Sequence, residues 1–164
     1  MHIKFFFILL LFSFKAMSQP DTLHAFNNSV YVEALGIGGY GSLNYERILF
    51  SKNKLKLAVR LGASTYHVMD YRLKFNPDII LPISLNALFG NRHLIEMGLG
   101  QTITSLVSAN EFRKAERNNN LHATFNIGYR YEKSRMLFRI CYSPIIEYYN
   151  SIRHWGGISF GYRF

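Results

Sequence analysis

Residues His154 to Phe164 read HWGGISFGYRF, and this stretch decides the fold. Ile158, Phe160, Tyr162 and Phe164 alternate with Gly157, Ser159, Gly161 and Arg163. A period of two is the signature of a strand with two chemically different faces. One face here is apolar and aromatic, and the other is small or polar.

The same period runs backwards through the chain. Leu121, Ala123, Phe125, Ile127, Tyr129 and Tyr131 alternate with His122, Thr124, Asn126, Gly128, Arg130 and Glu132. Six further segments follow the rule, over Val30–Ile37, Tyr40–Phe50, Leu55–Tyr66, Asp78–Phe89, Leu94–Leu106 and Met136–Tyr148. Short polar turns at 51–54, 90–93 and 133–135 alternate with longer loops at 67–77, 107–120 and 149–153. The exception is Gly38-Gly39, a two-residue connection on the long-loop side. Pro82 and Pro144 lack a ladder donor and predict local irregularities.

These segments predict an all-β fold, an eight-stranded antiparallel up-and-down transmembrane barrel over residues 29–164. Segments of about nine to eleven residues suffice to cross a bilayer when tilted. Short turns at one rim and long loops at the other match outer-membrane barrels. A soluble lipocalin-like barrel also alternates, so the polar face has to decide. Water-facing strands carry many Lys, Glu and Thr residues. This face carries Gly, Ser, Asn and Thr with sparse charges, which fits a narrow, packed lumen.

The charges on that face are Glu33, Glu46, Lys56, Arg60, Glu96, Arg130, Glu132, Arg139, Glu147 and Arg163. Acidic and basic groups balance, so mutual pairing inside the lumen is expected; an unpaired buried charge is costly. Tyr45, Phe50, Tyr66, Phe89, Tyr129, Tyr131, Tyr148, Trp155, Tyr162 and Phe164 fall towards segment ends, as aromatic girdles at the two lipid interfaces do.

The N-terminus reads as a signal peptide. Met1–Lys4 is a basic lead, Phe5–Phe14 an apolar run, and Ala16-Met17-Ser18 a small-x-small cleavage pattern before Gln19. The expected division is 1–18 signal peptide, 19–28 lead-in and 29–164 barrel. The formal charge is +9, and removing Lys4 and Lys15 leaves the mature chain near +7. In an exported protein this surplus suits lipid or lipopolysaccharide phosphates rather than nucleic acid. The basic groups of the long loops, Arg72, Lys74, Arg113, Lys114 and Arg117, are the expected contacts. Cys141 is the one cysteine, so an intrachain disulfide is excluded, and a strand-filling role is expected.

The chain resembles the small eight-stranded outer-membrane barrels of the OmpX/OmpA type. The residues that carry the likeness are Val32-Glu33, Gly38-Gly39, Ser42 to Arg47, and the closing GYRF. The resemblance implies localisation to the outer membrane of a Gram-negative bacterium and a structural or surface-interaction role without catalysis. It also implies a monomer whose closing strand, through Phe160, Tyr162 and Phe164, is read by the barrel-assembly machinery.

Two alternatives remain at this point: an outer-membrane lipid-modifying enzyme and a soluble periplasmic lipocalin-like binder. For the enzyme, His122, Thr124, Glu147, Ser151 and His154 are the available nucleophile and acid–base groups, without a diagnostic spacing. His24, His67, His93, His122 and His154 are scattered, so no metal or cofactor is expected. The glycine-rich GIGGYG at 36–41 has no helix behind it and does not qualify as a phosphate loop.

Overall fold

The computed structural model describes residues 26–70, 72–109, 115–146 and 152–164. The proposed signal peptide, Glu147, Tyr148 and Ser151 lie outside the described residues.

The strands are β1 (Asn28–Leu35), β2 (Gly41–Lys52), β3 (Leu55–Ser64), β4 (Ile79–Gly90), β5 (His93–Ala109), β6 (Ala115–Lys133), β7 (Met136–Tyr142), β8 (Ile145–Ile146), β9 (Ile152–Arg153) and β10 (Gly156–Arg163). Every pairing is antiparallel, and the ring runs β5-β4-β3-β2-β1-β10-β7-β6, with β6 returning to β5. β8 continues the line of β7 along β6, and β9 pairs with β8. The two short pieces are thus extensions of the seventh and eighth walls of an eight-stranded closed barrel. Closure gives each of the eight walls a neighbour on both sides, which open sheets cannot do.

The break between β7 and β8 falls at Ser143-Pro144, where proline removes a donor. Pro82 acts differently. It keeps its place opposite Thr102 of β5, while on the β3 side the ladder lapses between Leu61↔Ile83 and Ser64↔Ile80 with no change of register. The result is a local break without a bulge. Gly62 faces the proline ring; a Cβ there would sit 2.7 Å from Pro82 Cγ. The bulge in the barrel lies in β2, between Ile48 and Phe50. It turns both Leu49 and Phe50 outwards.

One expected loop is largely strand. Residues 107–120 contain the ends of β5 and β6, paired from Leu106↔Asn118 to Ala109↔Ala115. The three asparagines 118–120 therefore lie in a hairpin arm on the loop side, not in an irregular loop. Polarity misled here: residues 115–121 of β6 are exposed on both faces and need no apolar stripe, and backbone bonds suffice to pair them.

The first connection also departs from a simple turn. Leu35 takes a left-handed φ of 63°, and Gly36–Gly38 forms one 3-10 turn that folds inwards. Gly36, Ile37 and Gly38 are all buried, and the Ile37 carbonyl accepts a hydrogen bond from Thr102 Oγ1 at 3.0 Å. GIGGYG is an inward-turning connection. Gly36 and Gly39 both hold φ at 84°, a region glycine enters without steric cost.

The two faces of the wall settle the polarity of the barrel. Val32, Leu43, Leu85, Leu99, Ile158 and Phe160 point outwards, with Leu99 68% exposed. Glu33, Asn44, Arg60, Asn86, Glu96 and Arg139 point inwards and are fully buried. A barrel stabilised in water has the opposite arrangement.

Candidate functional site in the barrel lumen

Strand geometry determines which side chains meet in the lumen. Side chains at i and i+2 share a face, so Glu46, Arg60, Glu96, Arg130 and Arg139 all project inwards from their own strands. Paired registers bring them to similar heights: Glu46 lies opposite Arg60, and Arg130 opposite Arg139. The second pair juxtaposes two cations, so each must find a carboxylate across the lumen.

They do so through one alternating chain. Arg60 pairs with Glu33, whose other oxygen accepts from Arg139 Nη1 at 2.6 Å. Arg139 Nε donates to Glu96 Oε1 at 2.9 Å, and Arg130 Nη2 lies 2.7 Å from Glu96 Oε2. Arg130 also pairs with Glu46, with Nη2 2.9 Å from Oε2. Three cations and three anions thus alternate across the barrel, all buried. Neutral groups complete the coordination. Asn86 donates to Glu46 at 3.1 Å, Asn126 to Glu96 at 3.1 Å, and Arg60 Nε to Asn44 at 2.9 Å. Tyr31, fully buried, lies beside Arg60, with the guanidinium 5.4 Å from the ring centroid.

A second cluster lies nearer the short turns. Glu132 accepts from Lys56 at 3.2 Å and from Arg163 at 3.1 Å, and Arg130 Nη1 stands 3.7 Å away. Arg163 is half-buried, so this cluster reaches the turn-side opening. The structure therefore brings together Glu33, Glu46, Lys56, Arg60, Glu96, Arg130, Glu132, Arg139 and Arg163. Glu147 is not described.

The sequence reading missed an apolar floor. Ala58, Leu88 and Leu94 pack together inside the barrel with Ile48 against them, and Leu137 is also fully buried. Each shares the parity of the inward face of its strand, so extending Glu46 to Ile48, Arg60 to Ala58 and Glu96 to Leu94 was the available signal. The lumen is therefore layered: apolar residues near the turns, ion pairs in the middle, and Thr102, Thr104, Thr124 and Ile37 towards the loops.

Glycine sets how closely these layers pack. Gly98 lies opposite both Asn86 and Asn126, the two amides that hold Glu46 and Glu96. A Cβ at Gly98 would overlap both amide oxygens. Gly98→Val raises strand propensity yet is expected to destabilise by about 1–3 kcal/mol through overpacking. A urea titration of the folded barrel reads this directly, and a neutral or stabilising result would contradict the packed geometry.

Among the described residues, His122 and His154 lie on opposite sides of the wall. His122 points into the wall's interior side, with Nε2 3.2 Å from Thr104 Oγ1. His154 is exposed and stacks on outward-facing Tyr142, with ring centroids 6.0 Å apart. Cys141 is buried, with Sγ 3.4 Å from Ser143 Oγ and 3.8 Å from Glu33 Oε1. Among the described residues there is no group of three or more His, Cys, Asp or Glu able to hold a metal ion.

No protein-family model and no curated protein matches the sequence. Solved structures do match in shape. The N-terminal β-barrel domain of Pseudomonas aeruginosa OprF superposes with a TM-score of 0.56 at 15% identity, over 83% of this chain and 97% of that one. The Yersinia pestis outer membrane protein Ail, in a phospholipid bilayer nanodisc, gives 0.51 at 10% identity, over 84% and 98%. Ail in complex with the heparin analogue sucrose octasulfate gives 0.54 at 12% identity, over 84% and 96%. The chain has the fold of these small barrels, a closed ring of eight antiparallel strands.

Proposed function

We propose that this protein is an exported, non-enzymatic barrel of a Gram-negative outer membrane, with a lumen closed by its own side chains and a structural or surface-interaction role. The observation that carries the reading is the inversion of the wall: Leu, Ile and Phe exposed outside, Arg and Glu buried inside. Only hydrocarbon makes such an outside favourable, and only closed barrels and helices satisfy their backbone within it.

The remaining parts follow from this setting. The ion-paired middle and apolar floor support a barrel that does not conduct. The separation of His122 from His154 across the wall supports a non-catalytic role. The signal peptide at 1–18 accounts for export. The outward-facing Phe160 and Tyr162 of β10, with Phe164 just after it, are the surface offered to the assembly machinery, with lipid and lipopolysaccharide as the surrounding partners and a monomer as the working unit.

Two measurements test the reading. An outer-membrane fraction should contain the protein as a band whose gel migration shifts on boiling; recovery in the soluble periplasm would refute the location. Reconstituted into planar bilayers, the folded protein should give no steady ion conductance and no sugar flux in liposome swelling. Sustained conductance would contradict the closed lumen. An acyl change in lipid A that vanishes with His122→Ala would instead favour the enzyme.

A further inference from the structure

The chain's positive charge is not spread evenly over the barrel. In the lumen, Glu33, Glu46, Glu96 and Glu132 offset the buried cations, so little net charge remains there. On the loop side, among the described residues, Asp70 and Glu116 stand against Arg72, Lys74 and Arg117, while Asp78 is buried. The larger surplus lies at the turn-side rim. Lys52 and Lys54 flank the β2–β3 turn, Arg92 lies in the β4–β5 turn, and Lys133 and Arg135 flank the β6–β7 turn. All are exposed, as is Arg47 on the outer wall beside the end of β1. Among the described residues no ion pair holds Arg47, Lys52, Lys54, Arg92 or Lys133. Glu132, beside this rim at the end of β6, is buried and held by Lys56 and Arg163.

These cations also sit at a defined height. Phe50, Phe89, Tyr129, Tyr162 and Phe164 face outwards at the same end of the barrel. The Arg135 guanidinium lies 5.4 Å from the Phe26 ring centroid and 5.7 Å from that of Tyr162. Aromatic residues of this kind mark the level of lipid headgroups, and long cationic side chains extend from there into them.

We propose that the turn-side rim is a basic collar that binds the phosphodiester headgroups of anionic phospholipids in the leaflet opposite the loops. This inference rests on the spanning reading above. It moves the main anionic contact away from the loops, where the sequence had placed it. The arrangement suits lipid rather than one bound solute: the cations encircle the barrel instead of converging on a pocket. Clusters of Lys and Arg just outside a membrane span recognise anionic lipid, and the attraction is screened by salt.

The test uses the folded full chain in phosphatidylcholine bilayers, with trace spin-labelled phosphatidylglycerol or phosphatidylcholine. Electron spin resonance reads the motionally restricted lipid that touches the barrel. The wild type is expected to prefer phosphatidylglycerol by about fivefold, and added salt should reduce that preference. In the variant K52Q/K54Q/R92Q/K133Q/R135Q the ratio should fall towards one, while K74Q/R117Q on the loop side keeps it. Retained heat-modifiable migration shows that each variant is folded. Equal restriction of both labels by the wild type, or a preference lost with the loop-side variant instead, overturns the collar while leaving the spanning reading intact. Absence of restricted lipid with either label overturns the spanning reading and the collar together.

Discussion

Glu96→Leu is expected to cost about 3–5 kcal/mol of barrel stability, the range for removing one partner from a buried ionic network. Glu96 is fully buried and serves Arg130, Arg139 and Asn126 at once. Its loss leaves Arg139 with Glu33 alone and Arg130 with Glu46 and the more distant Glu132, in a setting where water cannot replace the missing acceptor. The penalty belongs to the stranded cations more than to the lost attraction. Arg139→Met in the same chain should therefore recover part of the loss, because the second substitution removes one of the unmatched charges. Glu116→Leu, exposed on the loop-side arm, should change stability by no more than about 0.5 kcal/mol. Urea unfolding in lipid vesicles measures all of these variants. A Glu96→Leu loss near that of Glu116→Leu would mean that the lumen is wet and the ion pairs are not its support.

The legibility of this barrel follows from how much each feature depends on local pattern. β10 and β6 were readable because a lipid-facing wall must be apolar at every second residue, and the registers that pair them keep that rule throughout. The lumen charges were readable for the same reason: an ionic side chain at inward parity has few alternatives to pairing. The apolar floor was harder. Leu88-Phe89 and Leu94-Ile95 put apolar residues on both faces, so the inward member is masked by its outward neighbour. The inward fold of Gly36–Gly38 depends on Thr102, 65 residues away in sequence, which no local pattern records. The β6 side of the arm carries no stripe because residues 115–121 are exposed on both faces.

Leu99→Arg is expected to destabilise the barrel in a bilayer by about 2–4 kcal/mol, the cost of a cation at the lipid-facing midplane. Leu99 is 68% exposed and pairs with Leu85 on one side and Phe125 on the other. It lies about halfway along the wall, remote from both rims. On a surface facing water, exchanging so exposed a leucine for arginine would be neutral or favourable, so the two settings predict opposite signs. Met136→Arg supplies the internal comparison. Met136 is also outward-facing and exposed, but it begins β7 beside the turn, where arginine can reach the headgroups. Its cost should be about 0–1 kcal/mol. Depth dependence is thus the signature to look for: a large loss at Leu99 and little at Met136, read by urea unfolding in phospholipid vesicles. Equal small effects at both positions would mean that hydrocarbon does not surround the wall. The apolar exterior would then need another covering, and the proposed place of the protein in a membrane would fall with it.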